Sequence, residues 1–129
     1  DLKSTEDSFA SAANYINKMG WKMDNPCFYK IKLKNNIPLK YLNTSAKKIK
    51  NKKKLKYFKK YIANYNSIKV DENLITGIIT PDREIVENSK LLEPAYLTFD
   101  NYELILKWNR SLRFALAVCT LKDKFKNVL

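Results

Sequence analysis

The chain has 129 residues, a net charge of +12, two cysteines and no histidine. This length fits one domain with its own core, and the lack of histidine excludes a Cys/His zinc site and any Ser-His or Cys-His catalytic pair. No apolar run approaches the roughly 20 residues that a membrane-spanning helix needs.

The first predicted elements are a helix and a strand. Ser4 and Asp7 have side chains that cap helix N-termini, and Gly20 is a typical helix end. A helix is therefore predicted over residues 4–20. Residues 27–33 alternate between apolar and polar side chains, which predicts a strand.

The middle of the chain predicts one short helix between irregular and strand-like segments. Residues 34–52 are rich in asparagine and lysine and are predicted to be irregular. Residues 53–64 predict an amphipathic helix with an apolar side formed by Leu55, Phe58, Ile62 and Tyr65. Strand-like segments follow at residues 75–80, 85–86 and 95–99, separated by turns that contain proline.

A second helix is predicted near the C-terminus. Asp100 and Glu103 have the spacing of a capping box, so this helix should begin near Asn101. Apolar side chains recur on two of its faces, which indicates burial between two layers. A polar step at residues 108–111 interrupts them, and polar groups beside a buried seam need partners or line a cleft. A helix, short strands and a helix predict an α+β fold.

Nine lysines lie between Lys47 and Lys60, and two interpretations of them stay open. They form the solvated side of the short helix, or they bind an anionic polymer. The chain has only three arginines, the residue type that binds phosphate bidentately and reads bases. Specific binding of nucleic acid is therefore not expected.

Cys27 and Cys119 are the two cysteines. Cys119 falls on an apolar stripe of the C-terminal helix, where a free thiol behaves as a small hydrophobic group. We therefore expect both thiols to be unpaired.

Two blocks of the sequence carry a family signature. The first, from Asp7 to Trp21, reads DSFASAANYINKMGW. The second contains Phe99, Asn101, Tyr102, Ile105, Lys107, Trp108, Asn109, Ser111, Phe114, Ala115, Ala117, Val118, Leu121 and Asp123. In residue type, spacing and order, these blocks resemble the membrane-bound lytic murein transglycosylase B family, bacterial enzymes that cleave peptidoglycan glycan strands.

The resemblance implies a lysozyme-like helical core with an inserted, β-rich subdomain. On this reading, residues 1–25 hold one core helix and residues 100–129 hold the C-terminal core helices. Residues 26–99 form the subdomain, with one short helix.

The resemblance also implies where the chemistry lies. In the family, a glutamic acid within a G-x-x-E-S motif protonates the glycosidic oxygen, and the 6-hydroxyl of the sugar closes a 1,6-anhydro ring. None of the 13 carboxylates here stands in such a motif, so no catalytic residue is expected in this chain. Asp1 and Leu2 match only the end of a calcium loop found in some members, so neither a metal nor a cofactor is expected.

The family pattern assigns glycan contacts to Trp108, Asn109 and Phe114, with Trp21 and Tyr29 beside the groove. The alternatives are core packing for Trp108 and Phe114 and a helix-junction cap for Asn109.

The sequence therefore predicts the C-terminal part of a periplasmic peptidoglycan lytic transglycosylase, inactive alone. Its expected partners are glycan strands and an upstream catalytic segment of the same protein. Self-association through exposed core helices is also expected, as is a membrane anchor through a lipidated N-terminus outside this chain. The alternative function is a non-catalytic, lysine-rich module that binds an anionic polymer, either cell-wall glycan or nucleic acid.

Overall fold

The computed structural model describes residues 25–44, 48–81, 92–108 (Trp108 by its backbone) and 116–120, together with residues 14, 18 and 20. Their centre is a sheet whose strands are β1 (Phe28–Ile31), β2 (Leu42–Asn43), β3 (Lys53–Lys54), β4 (Ile75–Ile79) and β5 (Ala95–Thr98). The helices are three 3-10 helices (Leu39–Tyr41, Leu55–Tyr61 and Tyr65–Ser67) and one α-helix, α1 (Asp100–Trp108). The predicted α+β fold is confirmed.

The sheet has the strand order β1-β5-β4-β2, with β3 also paired to β4. β5 is antiparallel to both β1 and β4, whereas β2 runs parallel to β4. β3 pairs with the beginning of β4, at Ile75 and Thr76, and β2 pairs with its end, at Ile78 and Ile79. β4 is therefore the strand that joins the lysine-rich segment to the rest of the sheet.

Strand alternation divides the core between the two faces of this sheet. Ile78 and Leu97 point to the face covered by the 3-10 helices. Ile79 points to the other face, where it packs with residues of α1 and with Cys119. The described helical residues of the C-terminal region thus share one side of the sheet, and the lysine-bearing 3-10 helix lies on the opposite side.

Most predicted elements within the described residues are confirmed. The strands expected at 27–33, 75–80 and 95–99 are β1, β4 and β5, and the helix expected near Asn101 is α1. Residues 14 and 18 are helical, whereas the rest of the helix predicted at 4–20 and the strand predicted at 85–86 lie outside the described residues.

The segment at residues 53–64 differs from the single amphipathic helix that was predicted. It begins as β3 and continues as the 3-10 helix Leu55–Tyr61. Leu55 and Phe58 are 1% and 0% exposed, and their spacing of three residues matches the period of a 3-10 helix. The same apolar side chains are buried as expected, but a tighter helix buries them.

Residues 34–52 were predicted to be irregular, and this was wrong for part of the segment. They contain a 3-10 helix at Leu39–Tyr41 and strand β2. The buried amide of Asn43 holds this region because its Nδ2 donates to the carbonyl of Ile78 (2.9 Å) and its Oδ1 accepts from the backbone N–H of Lys50 (2.8 Å). A polar side chain therefore organises a segment whose composition resembles a loop.

The expectation of two unpaired thiols was wrong. Cys27 and Cys119 form a disulfide with a Cα–Cα distance of 6.0 Å. Both side chains are buried on the α1 side of the sheet. Cys119 does lie on a buried helical stripe, but the residue it faces is the other cysteine, which sequence spacing cannot reveal.

Candidate functional site

A cleft of about 560 Å³ lies beside α1. The residues that line it come from α1, from the segment before β3 and from the end of the N-terminal signature block, and include Gly20, Lys48, Ile49, Lys52, Leu104 and Lys107. Its volume falls within the range of small-ligand sites, about 300–1,000 Å³. We refer to it as the α1 cleft.

The N-terminal end of α1 is firmly anchored beside this cleft. The backbone N–H of Glu103 donates to the carbonyl of Phe99 at 3.2 Å, which closes the first turn. Asn101 is 1% exposed and its Nδ2 donates to the carbonyl of Asn25 at 3.1 Å. The helix is therefore tied to the chain just before β1, and its later turns are held in a fixed direction.

Tyr102 completes this anchor from inside the core. Its side chain is 0% exposed. Burial, and secondarily the nearby Tyr96, raises the pKa of Tyr102 well above its ordinary value. Tyr102 therefore packs without a charge in the core on the α1 side of the sheet.

An ion pair bridges the two sides of the cleft. Nζ of Lys52 lies 3.0 Å from each carboxylate oxygen of Glu103. Glu103 was predicted to be a capping residue, but its carboxylate binds this lysine. Because both side chains are partly exposed, such a pair stabilises the fold by only about 0–1 kcal/mol. It joins the lysine-rich segment to α1.

The structure describes only part of the predicted glycan-binding set. Trp108 is the last residue of α1, and its side chain lies outside the described residues, as do Trp21, Asn109 and Phe114. Leu104 and Lys107 stand on the last turns of the same helix and line the cleft. The α1 cleft thus lies next to the end of α1, where Trp108, the first predicted glycan contact of the C-terminal block, is located.

Tyr29 is described, and it lies away from this cleft. It sits on β1 and packs with the core on the 3-10 helix side of the sheet. Its hydroxyl donates to the carbonyl of Ser67 at 2.9 Å. The structure therefore does not bring Tyr29 together with the residues of α1, and its predicted place beside the groove stays a prediction.

The described carboxylates show no candidate for a general acid. A proton donor for glycoside cleavage needs an enclosed, apolar setting. Asp71, Glu72, Glu93 and Asp100 are exposed, and Glu103 is paired with Lys52. The remaining eight carboxylates of the sequence lie outside the described residues.

The described residues form neither a candidate metal site nor a membrane-spanning helix. They contain no group of three or more His, Cys, Asp or Glu side chains placed to hold a metal ion. None of the helices they form combines the length and apolar character needed to cross a membrane.

Comparisons with known proteins give a consistent result. The model of the transglycosylase SLT domain family matches residues 1–123. The chain belongs to this family. A search of curated proteins gives no significant match.

Two similar solved structures are of SltB3 from Pseudomonas aeruginosa, in complex with NAG-anhNAM-pentapeptide and with NAG-NAM-pentapeptide. Each is 25% identical, with a TM-score of 0.66 over 91% of this chain. The likeness confirms the expected lysozyme-like fold class. The chain covers 29% of the length of the SltB3 chain.

Proposed function

We propose that this chain is the C-terminal, glycan-binding part of a peptidoglycan lytic transglycosylase of the membrane-bound B type. The parent enzyme would cleave the bond between N-acetylmuramic acid and N-acetylglucosamine and leave a 1,6-anhydro ring. The observation that carries this proposal is the SLT family match across nearly the whole chain. The ligands of the SltB3 structures, an anhydro-muramoyl peptide and its non-anhydro counterpart, support the choice of substrate.

The catalytic glutamate is proposed to lie elsewhere in the same protein. No carboxylate here stands in the family motif, and those that the structure describes are exposed or ion-paired. This chain would instead bind and orient the glycan for a proton donor located upstream. On this proposal the chain, alone, lacks activity.

Trp108, Asn109 and Phe114 are proposed to contact the sugar. An asparagine amide offers a donor and an acceptor to a sugar hydroxyl or acetamido group, and an indole ring can lie against the face of a sugar. Their support in the structure is the position of Trp108 at the end of α1, beside the cleft lined by Leu104 and Lys107. Trp21 follows Gly20, another residue of the cleft lining.

The proposed location is the periplasm, with a lipidated N-terminus as the anchor. The Cys27–Cys119 disulfide supports this compartment, because disulfides persist in the bacterial periplasm and are rare in the cytosol. The proposed division into residues 1–25, 26–99 and 100–129 is supported at its second boundary, since α1 begins at Asp100.

The test uses the parent protein with its upstream catalytic segment. Asn109→Ala should lower the release of 1,6-anhydromuropeptides from purified peptidoglycan by about tenfold or more, since leaving a buried polar partner unsatisfied costs about 1–3 kcal/mol. Asn66→Ala is the matched control because Asn66 is exposed, on the 3-10 helix Tyr65–Ser67. Equal turnover by both variants would reject the groove assignment.

A further inference from the structure

A second surface, on the 3-10 helix side of the sheet, gathers aromatic rings and lysines from three separate segments. Tyr41 comes from the 3-10 helix Leu39–Tyr41, Tyr57 from the 3-10 helix Leu55–Tyr61, and Lys53 from β3. We refer to the residues Lys40, Tyr41, Lys53, Tyr57 and Lys60 as the tyrosine–lysine patch. None of them lines the α1 cleft.

The lysines are held over the rings. Nζ of Lys40 lies 5.2 Å from the ring centroid of Tyr41, and Nζ of Lys53 lies 5.5 Å from that of Tyr57. Nζ of Lys60 lies 5.1 Å from the ring centroid of Tyr57. These are cation–π distances. Two flexible side chains therefore lie over the partly exposed ring of Tyr57 (39% exposed), and a third lies over the adjacent ring of Tyr41.

The positive charge of the patch has no carboxylate partner among the described residues. The ion pair between Lys52 and Glu103 lies outside the patch. The charged groups that act on the Tyr57 hydroxyl are Lys60, Lys53 and Lys40. The patch therefore attracts anions at close range.

A hydroxyl donor lies at the centre of these charges. The hydroxyl oxygens of Tyr41 and Tyr57 are 2.8 Å apart. This hydrogen bond is the main reason that the pKa of Tyr41 rises to about 12 and that of Tyr57 falls below its ordinary value. Either hydroxyl can be its donor. In the arrangement in which Tyr41 donates, the O–H of Tyr57 is available to a ligand.

We propose that the tyrosine–lysine patch binds the free carboxylates of peptidoglycan stem peptides. A carboxylate there would accept a hydrogen bond from the Tyr57 hydroxyl and lie among the ammonium groups of Lys53, Lys60 and Lys40. This inference rests on the proposed function, which supplies the peptide as part of the substrate. It adds a peptide contact on the opposite side of the sheet from the glycan cleft.

The choice of carboxylate over a phosphate polymer follows from the proposed substrate. The patch contains lysines and no arginine, so it lacks the planar fork that binds carboxylate or phosphate in a bidentate manner. A lysine ammonium is a point charge that donates hydrogen bonds to any single anionic oxygen. Stem peptides present such carboxylates on the same polymer that the α1 cleft would bind.

The test measures binding of a fluorescein-labelled stem pentapeptide to the 129-residue chain by polarization at low salt. Lys40→Gln/Lys53→Gln/Lys60→Gln should weaken binding by about tenfold or more. Lys30→Gln/Lys32→Gln/Lys69→Gln is the matched control, since it removes the same charge from exposed positions outside the patch, and it should change binding by less than about threefold. Tyr57→Phe should also weaken binding, and it is measured well below its own unfolding temperature because it loses the hydrogen bond to Tyr41.

Three outcomes would overturn the proposal. Equal weakening by both triple variants would mean that net charge alone attracts the peptide. Equal binding of a peptide with amidated carboxylates would show that the patch does not recognise carboxylates. Binding of duplex DNA or polyphosphate, without binding of the peptide, would assign the patch to phosphate polymers.

A binding measurement with glycan chains stripped of their peptides tests the proposed function independently of this inference. Parent protein that fails to bind stripped glycan, while the patch still binds the acidic peptide, would reject the glycan function and retain the carboxylate site. Binding of stripped glycan without any peptide binding would reject the carboxylate site and retain the glycan function.

Discussion

At the scale of single residues, close packing is most restrictive at Gly77 in β4. Gly77 lies opposite Thr98 of β5. A Cβ at this position would overlap Cγ2 of Ile49 and approach Cγ of Lys52 to 3.3 Å. The absence of a side chain here lets the segment before β3 lie directly across the sheet, and this segment forms one wall of the α1 cleft.

Gly77→Ala should therefore destabilise the protein by about 1–3 kcal/mol, the usual cost of overpacking a core. The measurement is the midpoint of urea unfolding. Lys54→Ala, on the exposed β3 beside the same strand, is the control and should shift the midpoint far less. A Gly77→Ala protein with wild-type stability would show that the segment carrying Ile49 moves away at little cost.

The hydrogen-bonded tyrosine pair gives a prediction about alkaline pH. The hydrogen bond to Tyr57, followed by burial, raises the pKa of Tyr41 to about 12. Because a raised folded-state pKa favours the protonated form, its contribution to stability is complete below about pH 10 and is lost as the pH rises toward 12. Tyr102, whose pKa is also raised by burial, acts in the same direction.

Spectrophotometric titration of the tyrosines at high pH tests this assignment. Tyr57→Phe removes the partner of Tyr41, so the pKa of Tyr41 should fall toward its ordinary value. Tyr29→Phe is the control because Tyr29 bonds to Ser67 and not to this pair. An unchanged pKa of Tyr41 in Tyr57→Phe would contradict the hydrogen bond as the main cause.

At the scale of elements, the covalent link between the strand side and the helix side of the core is the Cys27–Cys119 disulfide. It joins the residue before β1 to the helical residues 116–120, 92 positions later in the sequence. A crosslink across such a long stretch restricts the unfolded chain strongly. It also holds the last described helical segment against the face of the sheet that α1 covers.

Reduction of this disulfide should lower the free energy of unfolding by about 4–5 kcal/mol in the loop-closure model. The measurement is urea unfolding with and without dithiothreitol. Cys27→Ala/Cys119→Ala should match the reduced protein and should not respond to dithiothreitol. Two thiols that react with a thiol reagent in the native, non-reduced protein would contradict the pairing.

At the scale of the whole molecule, the described residues form two packed sides around one sheet, and each side presents a different surface. The α1 side holds the cleft beside Trp108, and the 3-10 helix side holds the tyrosine–lysine patch. In a parent enzyme, the two surfaces would contact different parts of one polymer, the glycan and its peptides. Self-association through exposed core helices stays a prediction, to be tested by sedimentation of the purified chain.

On the proposed function, lytic transglycosylase activity depends on the complete enzyme. The chain alone should release no 1,6-anhydromuropeptides from purified peptidoglycan, since its described carboxylates are exposed or paired with Lys52. Mass spectrometry of the soluble products is the measurement, with the parent protein as the positive control. Turnover by the chain alone, abolished by changing one of its own carboxylates, would place the proton donor within it.

The sequence alone was sufficient to predict the α+β class, three of the strands and the start of α1. These features depend on local patterns, such as the alternation in residues 27–33 and the helical spacing of apolar residues after Asp100, which a single segment carries by itself. The family signature in residues 7–21 and 99–123 was likewise evident from residue type, spacing and order. It indicated the SLT domain that the family comparison shows.

The tertiary structure decided what depends on partners distant in the sequence. Cys119 was predicted to be a lone hydrophobic thiol because its own helix shows only burial, whereas its partner, Cys27, lies just before β1. Glu103 looked like a cap, but Lys52, 51 positions away, takes its carboxylate. Lys53 and Lys60 looked like one solvated helix face, but packing turns them toward the same tyrosine ring. Local patterns determine which segments form, and only their packing determines which side chains meet.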